Sequence, residues 1–418
     1  MREAFSFWTG HPFDFELWVR TGYWVLHGMS PYGVLPPAPG LSFANIYSPS
    51  SESTVGYLTL WPVLVGGVYG LYALLGVHSQ YLYYFLLKQP IILADVALGY
   101  AILRFVKENR PEATNAVLAY WLLSPYTIIL SGVWGMFDSL AMLPVVAALC
   151  TPREARRSAL EGLAVWVKSI PLVFAVPLAF SGPSKARNLA MAVAIPSLGS
   201  LATILVAGWP VGTAVATLNS TVGKGGESLS PLGIFFILSQ FGVATPTTSL
   251  FLTAVEYVWI PAELVAVWLG HRWYGFTTKG GLVQSMMLCA IAFLLFKAQV
   301  NEQYAVYLLS LALVDIAVWH PERRWLYFSI TASVLAFLLV NNVFLVRFTA
   351  PVNPGWMATE TALSRAMGPL ETWAELVSSL CFIGLNATYL YKLYRGRRRG
   401  AERPLGEPRG RRPAGRPA

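Results

Sequence analysis

Apolar stretches that approach membrane length recur along this chain from residue 58 to residue 394, with short charged gaps between them. A hydrocarbon core about 30 Å thick needs about 20 apolar residues per helix, and a helix satisfies its backbone hydrogen bonds internally. Charged residues are only 12% of the sequence, about half the share usual in soluble domains. The pattern predicts an all-α, polytopic membrane protein with roughly ten transmembrane helices, plus broken, re-entrant or interfacial helices.

The positive charge of the chain is concentrated at its C-terminus. The net charge is +9, and residues 395–418 supply +7 of it, through nine arginines against Glu402 and Glu407. An Arg-, Pro- and Gly-rich segment after an apolar helix is typical of a disordered cytoplasmic tail that contacts anionic lipid. We therefore predict one membrane domain over residues 1–394 and a basic tail over 395–418, and we predict no nucleic-acid binding.

The basic tail and the basic gaps orient the apolar segments. With the C-terminus inside, the gaps at 104–110, 153–157 and 271–281 also lie inside, as the positive-inside rule requires. Three segments break the alternation of directions, at 58–77, 158–180 and 231–245. The second contains the break Lys168-Ser-Ile-Pro171, which predicts a bent or re-entrant helix lining a cavity.

Two carboxylates one residue apart, Asp14 and Glu16, precede the first apolar segment. This topology places them in an outer N-terminal loop over residues 1–57 and predicts that other charged residues share the same face. Those residues are Asp138, Lys224, Glu227 and Glu302. Their convergence predicts an outward-facing site in a cavity reached by Asp14, Asp138 and Glu302, although loops also collect charges for no functional reason.

Several short motifs follow the acidic pair in a definite order. They are Gly28-Met-Ser-Pro-Tyr32, Tyr47-Ser-Pro49, Lys88 with Asp95, Trp121-Leu-Leu-Ser-Pro125, Asp138-Ser139, Lys168-x-x-Pro171, Ser230-Pro231 and Glu302-Gln303-Tyr304. Together they resemble the GT-C superfamily of polyprenyl-phosphate-sugar-dependent glycosyltransferases, with the strongest likeness to the GPI first-mannosyltransferase catalytic subunit and its prokaryotic relatives. The likeness spans roughly residues 14–310.

The resemblance implies transfer of a sugar, mannose in the nearest relatives, from a polyprenyl (dolichyl) phosphate to an acceptor hydroxyl with inversion. One carboxylate must accept the hydroxyl proton and a cation must neutralise the departing phosphate. The resemblance assigns catalytic roles to Asp14, Glu16 and Asp138, with Asp14 as the base. The same three residues could hold Mg²⁺ or Mn²⁺, since hard cations prefer oxygen ligands; the superfamily includes members with and without a metal.

Without a metal, basic side chains must meet the phosphate. The candidates for substrate binding are Lys168, Lys224, Lys297 and Arg347 as phosphate ligands, Trp134 and Tyr304 as rings that stack on the sugar, and Glu302 with Gln303 beside them. The alternative for Lys168 and Lys297 is a structural, snorkelling lysine. Lys88 and Asp95 lie two helical turns apart and predict structural pairing with neighbouring elements.

The acceptor is left open as a glycolipid, a lipid-linked oligosaccharide or a cell-surface glycan, because the outer loop before Ser230 lacks the basic cluster of the GPI enzymes. The expected location is a prokaryotic plasma membrane, or the ER membrane in a eukaryote, with membrane lipids as partners. The helix that the family places before its first acidic motif has no counterpart in the thirteen residues before Asp14. The competing interpretations are a transporter or lipid flippase and a non-catalytic homologue.

Overall fold

The computed structural model describes residues 1–39, 55–222, 232–240, 255–349, 353 and 355–400, and within these ranges it contains helices and no strand. The first half contains α1 (Arg2–Ser6), α2 (Pro12–Leu26), α3 (Leu60–Leu74), α4 (Gln80–Asn109), α5 (Thr114–Leu122), α6 (Pro125–Ile128), α7 (Asp138–Leu149), α8 (Glu154–Val167) and α9 (Ala175–Ala179). The second half contains α10 (Lys185–Val206), α11 (Val211–Val222), α12 (Ile234–Gln240), α13 (Trp259–Trp273), α14 (Lys279–Phe296), α15 (Ala305–Val318), α16 (Arg324–Asn341) and α17 (Gly355–Gly400). The all-α prediction is confirmed.

The number of membrane spans is lower than predicted. Among the described residues, five helices are long and apolar enough to cross a membrane: Gln80–Asn109, Lys185–Val206, Lys279–Phe296, Pro321–Asn341 and Thr372–Arg397. A sixth span results if Pro111–Leu122 and Pro125–Trp134, which are bent by 48°, count as one. The prediction of roughly ten was wrong because several apolar segments form helices of 12 to 15 residues, such as α3, α7 and α13, which are shorter than a bilayer core.

Both termini differ from the prediction. The segment 1–57, predicted to be a loop, contains α1 and α2. At the other end α17 continues to Gly400, so residues 395–400 are helical where we predict tail, and residues 401–418 lie outside the described ranges. The predicted break near Lys168 is confirmed, because α8 ends at Val167 and a short 3-10 helix, Ile170–Phe174, precedes α9.

The N-terminal segment is anchored in the protein core by a buried arginine. Arg2 Nε lies 2.7 Å from Asp95 Oδ2 on α4, and the other guanidinium nitrogens donate to Thr127 Oγ1 and to the Leu122 carbonyl. Ser139 donates to the second oxygen of Asp95 at 2.9 Å. A buried ion pair is tolerated when its remaining donors and acceptors are satisfied, as they are here. The structural role predicted for Asp95 is confirmed.

Lys88 connects the segment before α2 to the turn before α7. Its fully buried Nζ donates to the carbonyl and the hydroxyl of Thr9 at 2.6 and 2.9 Å, and to the carbonyls of Gly132 and Val133 at 2.8 and 3.1 Å. Each acceptor offsets part of the cost of burying an ammonium group. Lys88 therefore has the predicted structural role, and it fixes the two segments that carry Asp14 and Asp138.

Close packing of α2 against α3 depends on glycine. A Cβ at Gly66 would lie 2.6 Å from Val25 Cγ1, whereas a Cβ at the next residue, Gly67, would meet nothing within 4 Å. We expect Gly66→Ala to lower the free energy of unfolding by about 1–3 kcal/mol through overpacking. The matched variant Gly67→Ala should be neutral or stabilise by up to about 1 kcal/mol, because alanine favours the helix. Thermal unfolding of the detergent-solubilised variants measures both; equal effects would contradict this packing.

Candidate functional site

Asp14 lies in the first turn of α2, which begins at Pro12, a residue whose fixed φ suits that position. The N-terminal end of the helix dipole favours a carboxylate there. Asp14 Oδ2 accepts a hydrogen bond from Trp134 Nε1 at 2.8 Å, and His11 Nδ1 lies 3.2 Å from the same oxygen. The Trp134 hydrogen bond therefore holds this carboxylate in place, with the His11 ring beside it.

The pKa of Asp14 lies below its usual value. Burial by itself raises the pKa, but the charge of His11, the hydrogen bond from Trp134 and the charge of Lys168 together outweigh it. Asp14 is therefore ionised at neutral pH, as a general base or a ligand for a cation must be.

Glu16 does not join Asp14 in one acidic group, which corrects the prediction. Residues two apart on a helix point about 200° away from each other. Glu16 Oε1 forms an ion pair with Arg20 Nη2 at 2.6 Å, and both side chains are buried. The sequence places Glu16 beside Asp14, but the helix turns it toward a structural ion pair.

Asp138 is the first residue of α7, and an unusual turn precedes it. Residues Ile129–Trp134 form a π-helical turn that ends at Gly135, which has φ +84. The Phe15 ring and Lys88 Cε would lie 2.8 and 3.2 Å from a Cβ at Gly135, so glycine is required for both conformation and space. This turn orients Trp134 toward Asp14 and begins the helix that carries Asp138.

Asp138 and Lys168 form a buried ion pair. Lys168 Nζ donates to Asp138 Oδ1 at 2.8 Å, and the two side chains are 3% and 0% exposed. Lys168 directly follows the last residue of α8 and has extended backbone angles, so the predicted helix break is what brings its side chain to Asp138. A snorkelling lysine keeps its ammonium group in water, whereas the Lys168 side chain is buried and paired with Asp138.

Three aromatic rings surround the Lys168 ammonium group. The ring centroids of Phe137, Tyr304 and Tyr57 lie 4.8, 5.1 and 5.8 Å from Nζ. Rings at this distance attract a cation through their quadrupoles, and the attraction is stronger when water is excluded. Tyr304, predicted to stack on a sugar, thus contacts the ammonium group, and Phe137 and Tyr57 join it.

Two tyrosines, Tyr304 and Tyr57, lie within electrostatic range of several of these carboxylates. Burial raises the pKa of Tyr304, and the charges of Asp138, Asp14 and Glu302 raise it further. Burial also raises the pKa of Tyr57, with contributions from Asp14 and Asp138. The same phenols therefore lie within range of the carboxylates predicted to share a site.

Exposure differs within this group, which we call the Asp14 cluster: His11, Asp14, Tyr57, Trp134, Phe137, Asp138, Lys168, Glu302 and Tyr304. The Asp14 side chain is 15% exposed and His11 is 18% exposed, whereas Asp138 is fully buried. Trp134 is only 5% exposed, so its ring is not available for stacking on a sugar in this conformation. The Asp14 side chain is therefore more accessible to solvent than the Asp138 side chain.

Glu302 is included in the cluster because its charge interacts with Tyr304 and with His11. Its Oε1 accepts from Asn341 Nδ2 at 2.7 Å, and its carbonyl accepts from the Tyr126 hydroxyl at 2.7 Å. Burial raises the pKa of Glu302 despite the opposing effects of Asn341, His11 and Arg347. Gln303 is also buried, and its Oε1 has no hydrogen-bond partner in the described part of the chain.

Arg347 approaches the cluster after a strained turn. Val343, Phe344 and Leu345 have φ values of 47, 52 and 71, a left-handed conformation that costs about 1–2 kcal/mol per residue. The turn brings the Phe348 ring to 5.6 Å from Trp134. Arg347 itself forms an ion pair with Glu360 at 2.8 Å, so this cation is already paired with a carboxylate.

Two further residues, Lys297 and Lys224, were predicted as phosphate ligands, and neither is among the described residues of the cluster. Lys297 lies with its Nζ 5.4 Å from the ring of Trp259, and burial lowers its pKa although the charge of Glu256 opposes this shift. Lys224 lies outside the described residues.

The predicted metal ligands do not form one donor set. Glu16 pairs with Arg20, and Asp138 pairs with Lys168, which leaves Asp14 with His11. Over the described ranges, no three His, Cys, Asp or Glu side chains are grouped so that they could hold a metal ion. The arrangement suits proton transfer and anion binding by a lysine better than coordination by three carboxylates.

Two cavities of about 390 and 400 Å³ lie away from the cluster. The first is lined by Arg104, Arg157 and Lys279, and the second lies between α13 and α14. Within the Asp14 cluster, the side chains of Trp134, Phe137, Asp138, Lys168 and Glu302 are buried, whereas Asp14 and His11 are partly exposed and form its accessible edge.

Some members of the cluster were not identified from the sequence. His11 lies three residues before Asp14, a spacing that brings side chains together in a helical turn and could have indicated the pair. Tyr57 and Phe137 carry no comparable signal, because an aromatic residue in an apolar sequence is usually a packing residue.

No protein-family model matches this chain, and no curated protein matches it. The likeness described above therefore depends on the order of the sequence motifs.

Proposed function

We propose that this chain is a membrane glycosyltransferase that moves a sugar, mannose in our proposal, from a polyprenyl-phosphate donor to a hydroxyl of a lipid-linked or cell-surface glycan, with inversion. The observation that supports this best is that one cluster contains both a partly exposed carboxylate, Asp14, with a lowered pKa, and a buried lysine, Lys168, which is held by Asp138. A base for the nucleophile and a cation for the leaving group are the two groups that this reaction requires.

In the proposed reaction, Asp14 accepts the proton of the acceptor hydroxyl. The hydroxyl oxygen then forms a bond to the anomeric carbon, and the bond from that carbon to the phosphate oxygen breaks on the opposite side. The electron pair leaves with the phosphate, which is a good leaving group and needs no acid. The hydrogen bond from Trp134 keeps the carboxylate oriented toward the acceptor.

Lys168 binds the departing phosphate in this proposal. An ammonium group has three donors, and one of them is directed to Asp138, which leaves others for phosphate oxygens. The rings of Phe137, Tyr304 and Tyr57 exclude water around Nζ and thereby strengthen its attraction for an anion. Asp138 positions the lysine, and Glu16 has no part in the chemistry.

The proposed location is the plasma membrane of a prokaryote, or the ER membrane of a eukaryote, with the Asp14 cluster on the outer or luminal face and the C-terminus in the cytoplasm. Basic residues at the C-terminal end of α4 (Arg104, Lys107) and beside the turn between α13 and α14 (Arg272, Lys279) support this orientation.

Purified full-length protein, given radiolabelled polyprenyl-phosphate-mannose and a membrane lipid extract, tests the proposal. We expect transfer of label to an extractable glycolipid or glycan with release of polyprenyl phosphate. If no polyprenyl-phosphate sugar supports transfer while the donor lipid crosses vesicle membranes faster with the protein present, a flippase is the better interpretation.

A further inference from the structure

A polar cavity lies at the end of α4 far from the Asp14 cluster. Lys88, which holds the cluster segments, and Glu108, which lines the cavity, are twenty residues apart on α4, or roughly 30 Å at 1.5 Å per residue. That distance matches the thickness of a hydrocarbon core. In the orientation proposed above, the cavity lies at the opposite membrane face, beside the basic residues Arg104, Arg157 and Lys279.

Basic residues outnumber acidic residues in the lining of this cavity. Its polar side chains include Arg104, Glu108, Arg157, Thr277, Thr278 and Lys279, and its volume of about 390 Å³ falls in the range of about 300–1,000 Å³ usual for ligand pockets. Glu108 is shared between Arg104, at 3.2 Å, and Lys279, at 3.4 Å. One carboxylate thus balances only part of the charge of three basic residues.

Arg157 is the basic residue whose position most favours an anion. Its Nη1 donates to Ser181 Oγ and its Nη2 donates to the Thr151 carbonyl at 3.2 Å. Its buried Nε has no hydrogen-bond partner among the described residues, and Arg157 forms no ion pair there with a carboxylate. Neutral acceptors hold this guanidinium group in place and Glu154 interacts with it only electrostatically, so its buried Nε–H remains available for an anion.

The N-terminus of α14 also lines the cavity. Thr278 is the N-cap of this 18-residue helix, and its hydroxyl accepts from Gly281 N at 3.1 Å. The first N–H groups of a helix lack partners within the helix, and together with the helix dipole they attract anions. Thr277 adds a further hydroxyl donor at the same place.

We infer that this cavity binds a phosphate group, through Arg157, Lys279 and the N-terminus of α14. Arginine and lysine side chains recognise a phosphate oxyanion by charge-assisted hydrogen bonds. Basic pockets between membrane helices on the cytoplasmic side bind the headgroups of anionic lipids. The ligand is a phosphate supplied either by an anionic lipid of that leaflet or by free phosphate. The inference is independent of the proposed glycosyl transfer, which takes place at the other face.

Ligand binding to the folded protein raises its unfolding temperature, so thermal unfolding in uncharged detergent measures the affinity. The full-length protein is titrated at constant ionic strength with inorganic phosphate, with short-chain phosphatidylglycerol, or with short-chain phosphatidylcholine. We expect a saturable rise with at least one of the first two probes and a smaller one with phosphatidylcholine, whose headgroup is neutral overall. A rise with inorganic phosphate assigns free phosphate, and a rise only with phosphatidylglycerol assigns the lipid headgroup.

The matched variants are Arg157→Gln and Arg156→Gln. They remove the same charge from neighbouring positions, but only Arg157 lines the cavity, and Arg156 is exposed. We expect Arg157→Gln to weaken the affinity about tenfold or more and Arg156→Gln to leave it nearly unchanged. Lys279→Gln, at an exposed position, provides a second variant if Arg157→Gln does not fold. Equal weakening by both arginine variants, or no saturable rise with either anionic probe, would overturn the inference.

Discussion

Replacement of Asp14 by asparagine should lower sugar transfer by about 10²- to 10⁴-fold, the usual contribution of a general base. Asparagine has nearly the same shape and keeps an oxygen that can accept the hydrogen bond from Trp134. It has no basic carboxylate, so the acceptor hydroxyl keeps its proton. Because Asp14 lies at the accessible edge of the cluster, the folded state should tolerate the change. Initial rates of transfer from radiolabelled polyprenyl-phosphate-mannose measure the effect.

Glu322→Gln is the control for Asp14→Asn. It also removes one carboxylate, at an exposed position in the turn before α16, where His320 is its neighbour. This variant should retain the wild-type rate, and both variants should retain the wild-type unfolding temperature within a few degrees. Transfer by Asp14→Asn at the wild-type rate would remove Asp14 as the base. Loss of transfer together with unfolding would instead indicate a structural role.

Breaking the Asp138–Lys168 ion pair from one side should lower the free energy of unfolding by about 3–5 kcal/mol, because a single buried charge is left without its partner. This applies to Asp138→Leu and to Lys168→Met alike. The double variant should unfold at nearly the same free energy as the wild type, since apolar residues of similar volume can replace a buried pair, and methionine packs well against the rings around position 168.

The double variant separates structure from chemistry. We expect it to be stable and inactive in transfer, because the cation for the departing phosphate is missing while the packing is restored. Unfolding of the four proteins by denaturant gives the coupling energy, and transfer assays give the activity. A double variant as unstable as the sum of the two single variants would contradict the pairing. A stable double variant with full activity would leave the pairing intact but remove Lys168 from the proposed reaction.

The helix break at Lys168 could be predicted from the neighbouring residues, but the ion-pair partner of Lys168 could not. Pro171 cannot continue a helix and disfavours helical angles in the residue before it, so the break could be predicted from residues 168–171 alone. The partner of Lys168 could not be predicted in this way. Asp138 lies thirty positions earlier, and the contact depends on how α7 packs against α8.

The acidic pair illustrates the opposite case. Asp14 and Glu16 are adjacent in sequence, which suggested a shared role, but the helical period of 3.6 residues directs them to different sides of α2. Trp134, which holds Asp14, lies 120 positions away. Sequence proximity predicts a shared site only where the local conformation is known.

The predicted number of membrane-spanning helices was wrong for a related reason. Mean hydropathy identifies an apolar segment, but it does not tell whether the segment forms a helix of bilayer length or one of 12 to 15 residues. The difference depends on turns and on packing with neighbouring helices. The apolar segments themselves were identified correctly, and most of them contain a helix.

The sequence by itself determined that this chain is helical and suited to a membrane, because lipid offers no partners for backbone N–H and C=O groups and helices supply them internally. It also determined which end of the helices is basic. Only the tertiary structure decided which charged residues share a site, joining Asp14 to Trp134 and Asp138 to Lys168 while separating Glu16. The physical reason is that a buried charge needs a partner, and the helical period and the packing of helices select that partner irrespective of sequence distance.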